Sequence, residues 1–215
     1  MQNKPKCKTM ELLAPAGGPE QLTAAVLCGA DAVYFGAGNF NARRSAKNFE
    51  LESLRKTVAF CHLHGTAVHL TVNTLVFDRE LPSAMETVRA ACEAGVDALI
   101  VQDLGLARFI RQAAPDMPIH ASTQMSLHNL SGVQLLEPFG YTRAVLAREM
   151  NAEEIAQVCR GTTMEIETFV HGALCMCLSG QCYLSAVAGE RSGNRGLCAQ
   201  PCRLPFYEKN PQRCG

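Results

Sequence analysis

Five cysteines, Cys175, Cys177, Cys182, Cys198 and Cys202, fall within residues 171–205, a stretch whose only acidic side chain is Glu190 and which carries Arg191, Arg195 and Arg203. Thiolates are the soft ligands that iron–sulfur clusters and zinc take, and neighbouring arginines favour the ionised form. Cys175, Cys182, Cys198 and Cys202 are separated by six, fifteen and three residues, with Gly180, Gly189, Gly193 and Gly196 between them. Such glycines let a loop turn sharply and bring backbone amides toward sulfur. The pattern points to a metal or cluster site, with Cys177 outside it. Two other chemistries stay open. Four thiolates also suit structural zinc, although the spacing is not the paired C-x-x-C of a zinc ribbon. Cys175 with His171 can be cast as the nucleophile and base of a peptidase, which leaves Cys182, Cys198 and Cys202 without a role. Neither a G-x-S-x-G elbow nor an H-E-x-x-H helix occurs, so serine and zinc peptidases lack a motif.

The rest of the chain reads as the scaffold for this segment. Short apolar runs at Glu11–Ala14, Ala32–Phe35, Ala67–Val72, Ala98–Val101, Ile119–Ser122, Ala144–Ala147 and Glu165–Val170 alternate with amphipathic stretches of helical period. Near-continuous apolar strands separated by helices predict a parallel sheet, and seven in succession predict an α/β fold: a TIM-like (β/α) barrel of about seven units with the Cys-rich loop after the seventh strand. Gly29-Ala-Asp31 and Gly95-Val-Asp97 repeat one device, a helix-ending glycine and a turn into the next strand. Gly65 and Gly140 stand in similar places. Helix starts are expected at Pro19, Asn48 and Asn151. The organisation expected is a tail over 1–9, the barrel over 10–170, the cluster-binding segment over 171–205 and a tail over 206–215. A full barrel needs eight units, so a truncated chain is expected.

In such barrels chemistry sits at the C-terminal ends of the strands. The polar residues placed there are Glu11, Tyr34, Asn39, Asn73, Gln102, Asp103, Ser122, Gln124, Arg148, Glu149 and His171. Asp103, Ser122 and Asn151 serve equally well as helix caps. Arg148 can hold a carboxylate or phosphate in a bidentate fork, or pair with Glu149 or Glu11. Arg43, Arg44 and Lys47 form a basic rim with Arg191, Arg195 and Arg203, or a solvated charge run.

Composition bounds the setting. The chain has 215 residues, 47% hydrophobic and 19% charged, with twenty basic side chains against twenty acidic ones. That is enough to bury one core, and no global field draws it to nucleic acid or membrane. No long apolar run follows the basic first nine residues, so a cytoplasmic, reducing location is the expectation, with the eleven cysteines as thiols and ligands rather than disulfides. Cys28, Cys61, Cys92 and Cys159 lie on helical stretches and are expected as small core residues. Cys7 and Cys214 lie in the tails.

The run Glu167-x-Phe169-x-x-Gly172-Ala173-Leu174-Cys175-x-x-x-x-Gly180-x-Cys182-x-Leu184-Ser185 resembles the signature of peptidase family U32, the collagenase-like proteins. LLAPAGGPEQLTAAVLCGADAVYFG, VNTLVFDRE, VDALIVQDLG, ASTQMSLHN and SGNRGLCAQPCRLPF extend the resemblance over nearly the whole chain, and it is most like the branch containing the bacterial 23S rRNA cytidine hydroxylase. The resemblance implies two activities: proteolysis, after which the family is named, or oxygen-independent hydroxylation of RNA bases or of a quinone precursor with a [4Fe-4S] cluster, the RNA branch drawing on prephenate. It implies Cys175, Cys182, Cys198 and Cys202 as cluster ligands, Cys202 being the position where members differ. On this reading RNA is the partner, met by Arg43, Arg44, Arg191, Arg195 and Arg203. His171 and Arg148 contact an anionic co-substrate, and Glu11, Asn73, Gln102 and Gln124 complete the site. A protein or peptide substrate is the alternative, and a zinc-stabilised binding module a third.

Overall fold

The computed structural model describes residues 10–42, 49–172 and 174–206. Seven parallel strands run in sequence order through one curled sheet: β1 (Leu13–Pro15), β2 (Ala32–Gly36), β3 (Ala67–Val72), β4 (Ala98–Val101), β5 (Ile119–Ala121), β6 (Tyr141–Val145) and β7 (Glu165–Glu167). Helices α1 (Pro19–Leu27), α2 (Leu51–Leu63), α3 (Leu81–Ala94), α4 (Leu104–Ala113), α5 (Leu130–Leu136) and α6 (Ala152–Gly161) connect them. A seventh helix, α7 (Leu184–Gly189), lies inside the segment that the sequence reads as loop. The architecture is the expected TIM-like barrel arrangement. Among the described residues no backbone pairing joins β7 to β1.

Alternation along the strands separates two environments. Val68, Leu70 and Val72 of β3, Leu99 and Val101 of β4 and Ile119 and Ala121 of β5 face outward, where they join Leu54 and Val58 of α2, Val88 of α3, and Leu106 and Ile110 of α4 in one buried core. Burying each such side chain contributes about 1.5–3 kcal/mol, so this layer holds the fold together. The intervening residues share the inner face, and there the chain is polar: His69, Thr71, Asn73, His120, Ser122, Arg143, Glu165 and Glu167.

Local signals explain the element ends. Gly95 ends α3 in the left-handed region at φ 81°, where a β-carbon would be strained. The aspartates of the repeated device staple strands: Asp31 accepts from the Leu12 amide at 2.8 Å and Asp97 from the Val68 amide at 2.7 Å, each tying a strand start to its neighbour. Asp103 caps α4 by accepting from the Leu106 amide at 2.8 Å, Asn151 caps α6 in a reciprocal box with Glu154, and the Ser122 hydroxyl accepts from the Gln124 amide at 3.2 Å. The capping alternative therefore holds for all three.

Several expectations need correction. β1 starts at Leu13, so Glu11 precedes the strand and sits at the barrel's N-terminal end, opposite the expected site. β6 begins at Tyr141, three residues before the expected Ala144, because Thr142 and Arg143 interrupt the apolar run; Arg143 pairs with both flanking strands and Thr142 falls at a register shift against β5. β7 ends at Glu167, leaving Phe169 and Val170 exposed. Of the four helical cysteines Cys61 is buried and Cys92 half-buried, whereas Cys28 and Cys159 are exposed. The helix start at Asn48 and the cysteines Cys7 and Cys214 lie outside the described residues, and α2 begins at Leu51.

Candidate functional site

At the C-terminal end of the barrel the ends of three strands lock together. Asn73, just past β3, is buried; its amide donates to the Ser122 hydroxyl at 3.1 Å and its oxygen accepts from the Ala42 amide at 2.9 Å. Gln102, just past β4, donates to the Gln124 carbonyl at 3.3 Å. Asn73 and Gln102 thus both meet the turn after β5, through the Ser122 hydroxyl and the Gln124 backbone carbonyl. The Gln102 carbonyl oxygen is buried with no partner among the described residues.

The Cys-rich segment docks onto this end. Gly180, at φ 74°, lies so close to the barrel that a β-carbon would fall 2.1 Å from the Gln124 carbonyl oxygen, so only glycine fits. The fully buried Ser179 is the centre of the contact. Its hydroxyl donates to Glu149 Oε1 at 3.1 Å and accepts from Arg148 Nε at 3.1 Å, its amide donates to the same Glu149 oxygen at 3.1 Å, and its carbonyl accepts from the Ser126 hydroxyl at 2.6 Å. Glu149 Oε2 stands 3.1 Å from His128 Nε2, whose Nδ1 faces the Ser126 carbonyl at 2.7 Å. Arg148 completes the chain by donating through Nη1 to Cys175 Sγ at 3.1 Å. Arg148 pairs with neither Glu149 nor Glu11; it reaches Glu149 only through Ser179. Ser126, His128 and Ser179 had no signal in the sequence beyond their neighbourhood to strand ends.

Contacts of neighbouring residues link Cys202 with Cys175 and Cys198 with Cys182. Arg203, next to Cys202, donates to the Leu174 carbonyl beside Cys175. Cys198 Sγ lies 3.8 Å from the Ser185 hydroxyl and accepts from the Gln200 amide at 3.4 Å. Gly193 sits where a β-carbon would lie 3.7 Å from Cys198 Cβ and 4.0 Å from the Cys182 carbonyl. The donors suit a cluster: they are thiols, and two of the sulfurs already receive N–H groups of the kind that stabilise cluster sulfur. The side chains as they stand do not close around a centre, because among the described residues no three His, Cys, Asp or Glu side chains gather closely enough to hold a metal ion. Cys177 is apart, its thiol directed to the Gln181 carbonyl at 3.4 Å.

The remaining expected residues divide. His171 is exposed beyond β7, and among the described residues no hydrogen bond joins it to Cys175 or Arg148. Arg195 is not a free rim cation: it donates to Glu80 Oε1 at 2.7 Å and lies 4.4 Å from the centre of the Phe77 ring, pinning the Cys-rich segment to the loop after β3. That hydrogen bond holds the Glu80 carboxyl below its ordinary range. Arg191 and Arg203 are exposed. Arg43, Arg44 and Lys47 lie outside the described residues. Glu11, at the far end, accepts from Arg143 at 2.6 and 3.0 Å, and this pairing lowers its pKa.

The fold is shared with solved barrels. The U32 peptidase Mk0906 superposes with a TM-score of 0.62 at 14% identity over 78% of this chain and 71% of that one; the YdjI aldolase of Escherichia coli superposes at 0.54 and 13% identity over 87% and 72%. At these identities the likeness speaks for the fold alone, a TIM-like barrel. Sequence goes further. A model of peptidase family U32 matches residues 17–213, and the chain belongs to that family. It is 42% identical over 203 residues to the 23S rRNA 5-hydroxycytidine C2501 synthase of Escherichia coli, covering 94% of this chain and 30% of that protein. It is 39% identical over 199 residues to the tRNA hydroxylation protein P1 of Bacillus subtilis, covering 93% and 47%, and 37% identical over 212 residues to a collagenase of Porphyromonas gingivalis, covering 93% and 50%. The chain therefore spans from under a third to half of the length of these relatives.

Proposed function

We propose that this chain is the barrel portion of an enzyme that hydroxylates a base of RNA without molecular oxygen. The observation that carries the reading is the docking of the Cys-rich segment over the polar strand ends by Gly180, Ser179, Glu149 and Arg148, which sets Cys175 beside the same end as the unpartnered Gln102 oxygen. Relatives named for rRNA and tRNA hydroxylation support it. Cys175, Cys182, Cys198 and Cys202 would hold a [4Fe-4S] cluster, which supplies one-electron chemistry when bound. The chain's own residues supply the rest. Arg148 orients the Cys175 side chain, Ser179 and Glu149 hold Arg148, and Gln102 offers an acceptor to an exocyclic amine or hydroxyl. Exposed Arg191 and Arg203 meet RNA phosphates, since backbone contacts position the strand while an extruded base enters a pocket. Prephenate, as co-substrate, would bring carboxylates to the same arginine-bearing rim.

The proteolytic reading, favoured by the collagenase relative, requires a base beside Cys175. That sulfur accepts a hydrogen bond from the Arg148 guanidinium, which cannot take a proton. The test is mass spectrometry of rRNA and tRNA digests from a deletion strain complemented by the full-length protein. Loss of one hydroxylated base, restored by the wild type and not by Cys182→Ala, supports the proposal. Unchanged base modification overturns it, and gelatin cleavage that Cys175→Ala abolishes would transfer the site to proteolysis.

A further inference from the structure

His128, in the turn after β5, is a side chain that the proposed reaction does not use. Its backbone is fixed on both sides. Leu127 is buried in the core and its carbonyl accepts from the Ala147 amide at 3.0 Å, while Asn129 caps α5 by accepting from the Gly132 amide at 2.8 Å. The imidazole itself is 36% exposed, so burial does little to hold it and its two polar contacts decide where it sits. Nδ1 faces the Ser126 carbonyl at 2.7 Å; a carbonyl oxygen only accepts, so the proton there belongs to Nδ1. Nε2 stands 3.1 Å from Glu149 Oε2, and one proton between the two closes that contact whichever atom carries it.

The two partners of the ring are residues that hold Ser179. Ser126 lies in the left-handed region at φ 59°, strained for a residue with a β-carbon and kept only where the surroundings over-determine it. Here they do: its carbonyl accepts from His128, and its hydroxyl donates to the Ser179 carbonyl and accepts from the Gln181 side-chain amide at 3.1 Å. Glu149 presents Oε2 to His128 and Oε1 to the Ser179 amide and hydroxyl. From Ser179 the chain runs through Arg148, whose backbone amide and Nε both donate to the Ser179 hydroxyl, to Cys175 Sγ. His128 thus stands at the origin of a run of hydrogen bonds that crosses from the barrel into the Cys-rich segment. Among the described residues no hydrogen bond joins it to Cys175 directly, so its influence on the sulfur passes through the others, which is the role of a positioning residue and not of a base.

We propose that His128 is a positioning residue for Cys175: by tying Ser126 to Glu149 it fixes the cradle in which Ser179 seats Arg148 against the sulfur. The inference rests on the RNA-hydroxylase reading for what the placed sulfur does, and not for the placing. Hydrogen exchange of the full-length protein, read at the Ser179 and Gln181 amides, is the test. His128→Phe keeps the bulk of the ring without its donors and is expected to speed exchange at both amides about fivefold, the size of one partly exposed charged contact. His128→Gln places a donor near where Nε2 stood and is expected to bring both rates back to within about twofold of the wild type. In a Glu149→Ala background that donor has no acceptor, so His128→Phe and His128→Gln should exchange alike at Gln181. The β4 amides are the control for folding and should keep the wild-type rate. A rate within about twofold of the wild type in His128→Phe, His128→Gln as fast as His128→Phe, rescue that persists without Glu149, or equal acceleration in β4 would overturn the proposal. Exchange needs neither RNA nor a bound cluster, so its outcome stands apart from that of the rRNA and tRNA digests: unchanged base modification sinks the hydroxylase reading, and the exchange rates still decide the role of His128.

Discussion

Ser179→Ala isolates the contact on which the placement of the cysteines depends. The hydroxyl is fully buried, accepts from Arg148 Nε at 3.1 Å and donates to Glu149 Oε1 at 3.1 Å. Hydrogen bonds to charged groups are worth about 1.5–3 kcal/mol each when solvent is excluded. Both partners here keep access to water, with the Glu149 side chain 31% exposed, so the two together are taken at about 2 kcal/mol. A loss of that size makes local opening of the segment roughly 30-fold more frequent, at 1.36 kcal/mol per factor of ten. Native-state hydrogen exchange reads this at the Ser179 and Gln181 amides, which donate to Glu149 and to the Leu178 carbonyl. The β4 amides, held in the core sheet, should exchange at the wild-type rate, because the helices and strands pack without Ser179. A change of less than twofold at Ser179 and Gln181, or an equal acceleration in β4, would refute the reasoning.

Other consequences follow from the same geometry. Arg143→Leu leaves Glu11, Glu165 and Glu167 facing one another without their cation, and should cost about 3–5 kcal/mol in urea unfolding; a loss under 1 kcal/mol would show that the carboxylates rearrange freely. His69 and His120 have folded pKa values far below the ordinary 6.5, so the unfolded chain binds more protons between the two; their share of stability is present above pH 6.5 and lost as pH falls toward 4. Glu167 acts with the opposite sign: burial pushes its carboxyl up to about 7, the folded state binds more protons from pH 4.5 to 7, and its term falls as pH rises through that window. Denaturation midpoints from pH 4 to 8 should therefore show an acid loss that His120→Gln flattens and Glu167→Gln steepens. Asp103→Ala removes the cap of α4 and the bond to the Val76 amide at 3.1 Å, and should cost about 1–2 kcal/mol by thermal unfolding.

Much of the barrel is legible in the chain because β2, β3 and β4 are short apolar runs with a turn signal on each side, and β3 and β4 have the bounds that the sequence predicts. The misplacement of β6 has a physical source. An inner face that is polar puts Arg143 inside the strand, and a register shift against β5 puts the exposed Thr142 before it, so a search for apolar runs starts too late. For the same reason His69 and His120, embedded in apolar strands, carry no mark of their edge-to-face contact. At the C-terminal end the residue types were readable and the partners were not. Arg148 was visible as an isolated cation, but its bonds to Ser179 and Cys175 join positions 31 and 27 residues apart, which no local pattern encodes. Gly180 shows the same limit: its place among the cysteines suggests a turn, whereas the reason for it is the Gln124 carbonyl on a different element.

The proposed chemistry rests on Cys175, Cys182, Cys198 and Cys202 holding an iron–sulfur cluster at the mouth of the barrel. The most direct measurement is the iron, zinc and acid-labile sulfide content of the full-length protein purified without air, beside single serine variants of the five clustered cysteines. Iron and sulfide in equal amounts are expected, lost in Cys175→Ser, Cys182→Ser, Cys198→Ser and Cys202→Ser and kept in Cys177→Ser. Zinc in place of iron, or iron that survives all four ligand substitutions, would overturn the assignment.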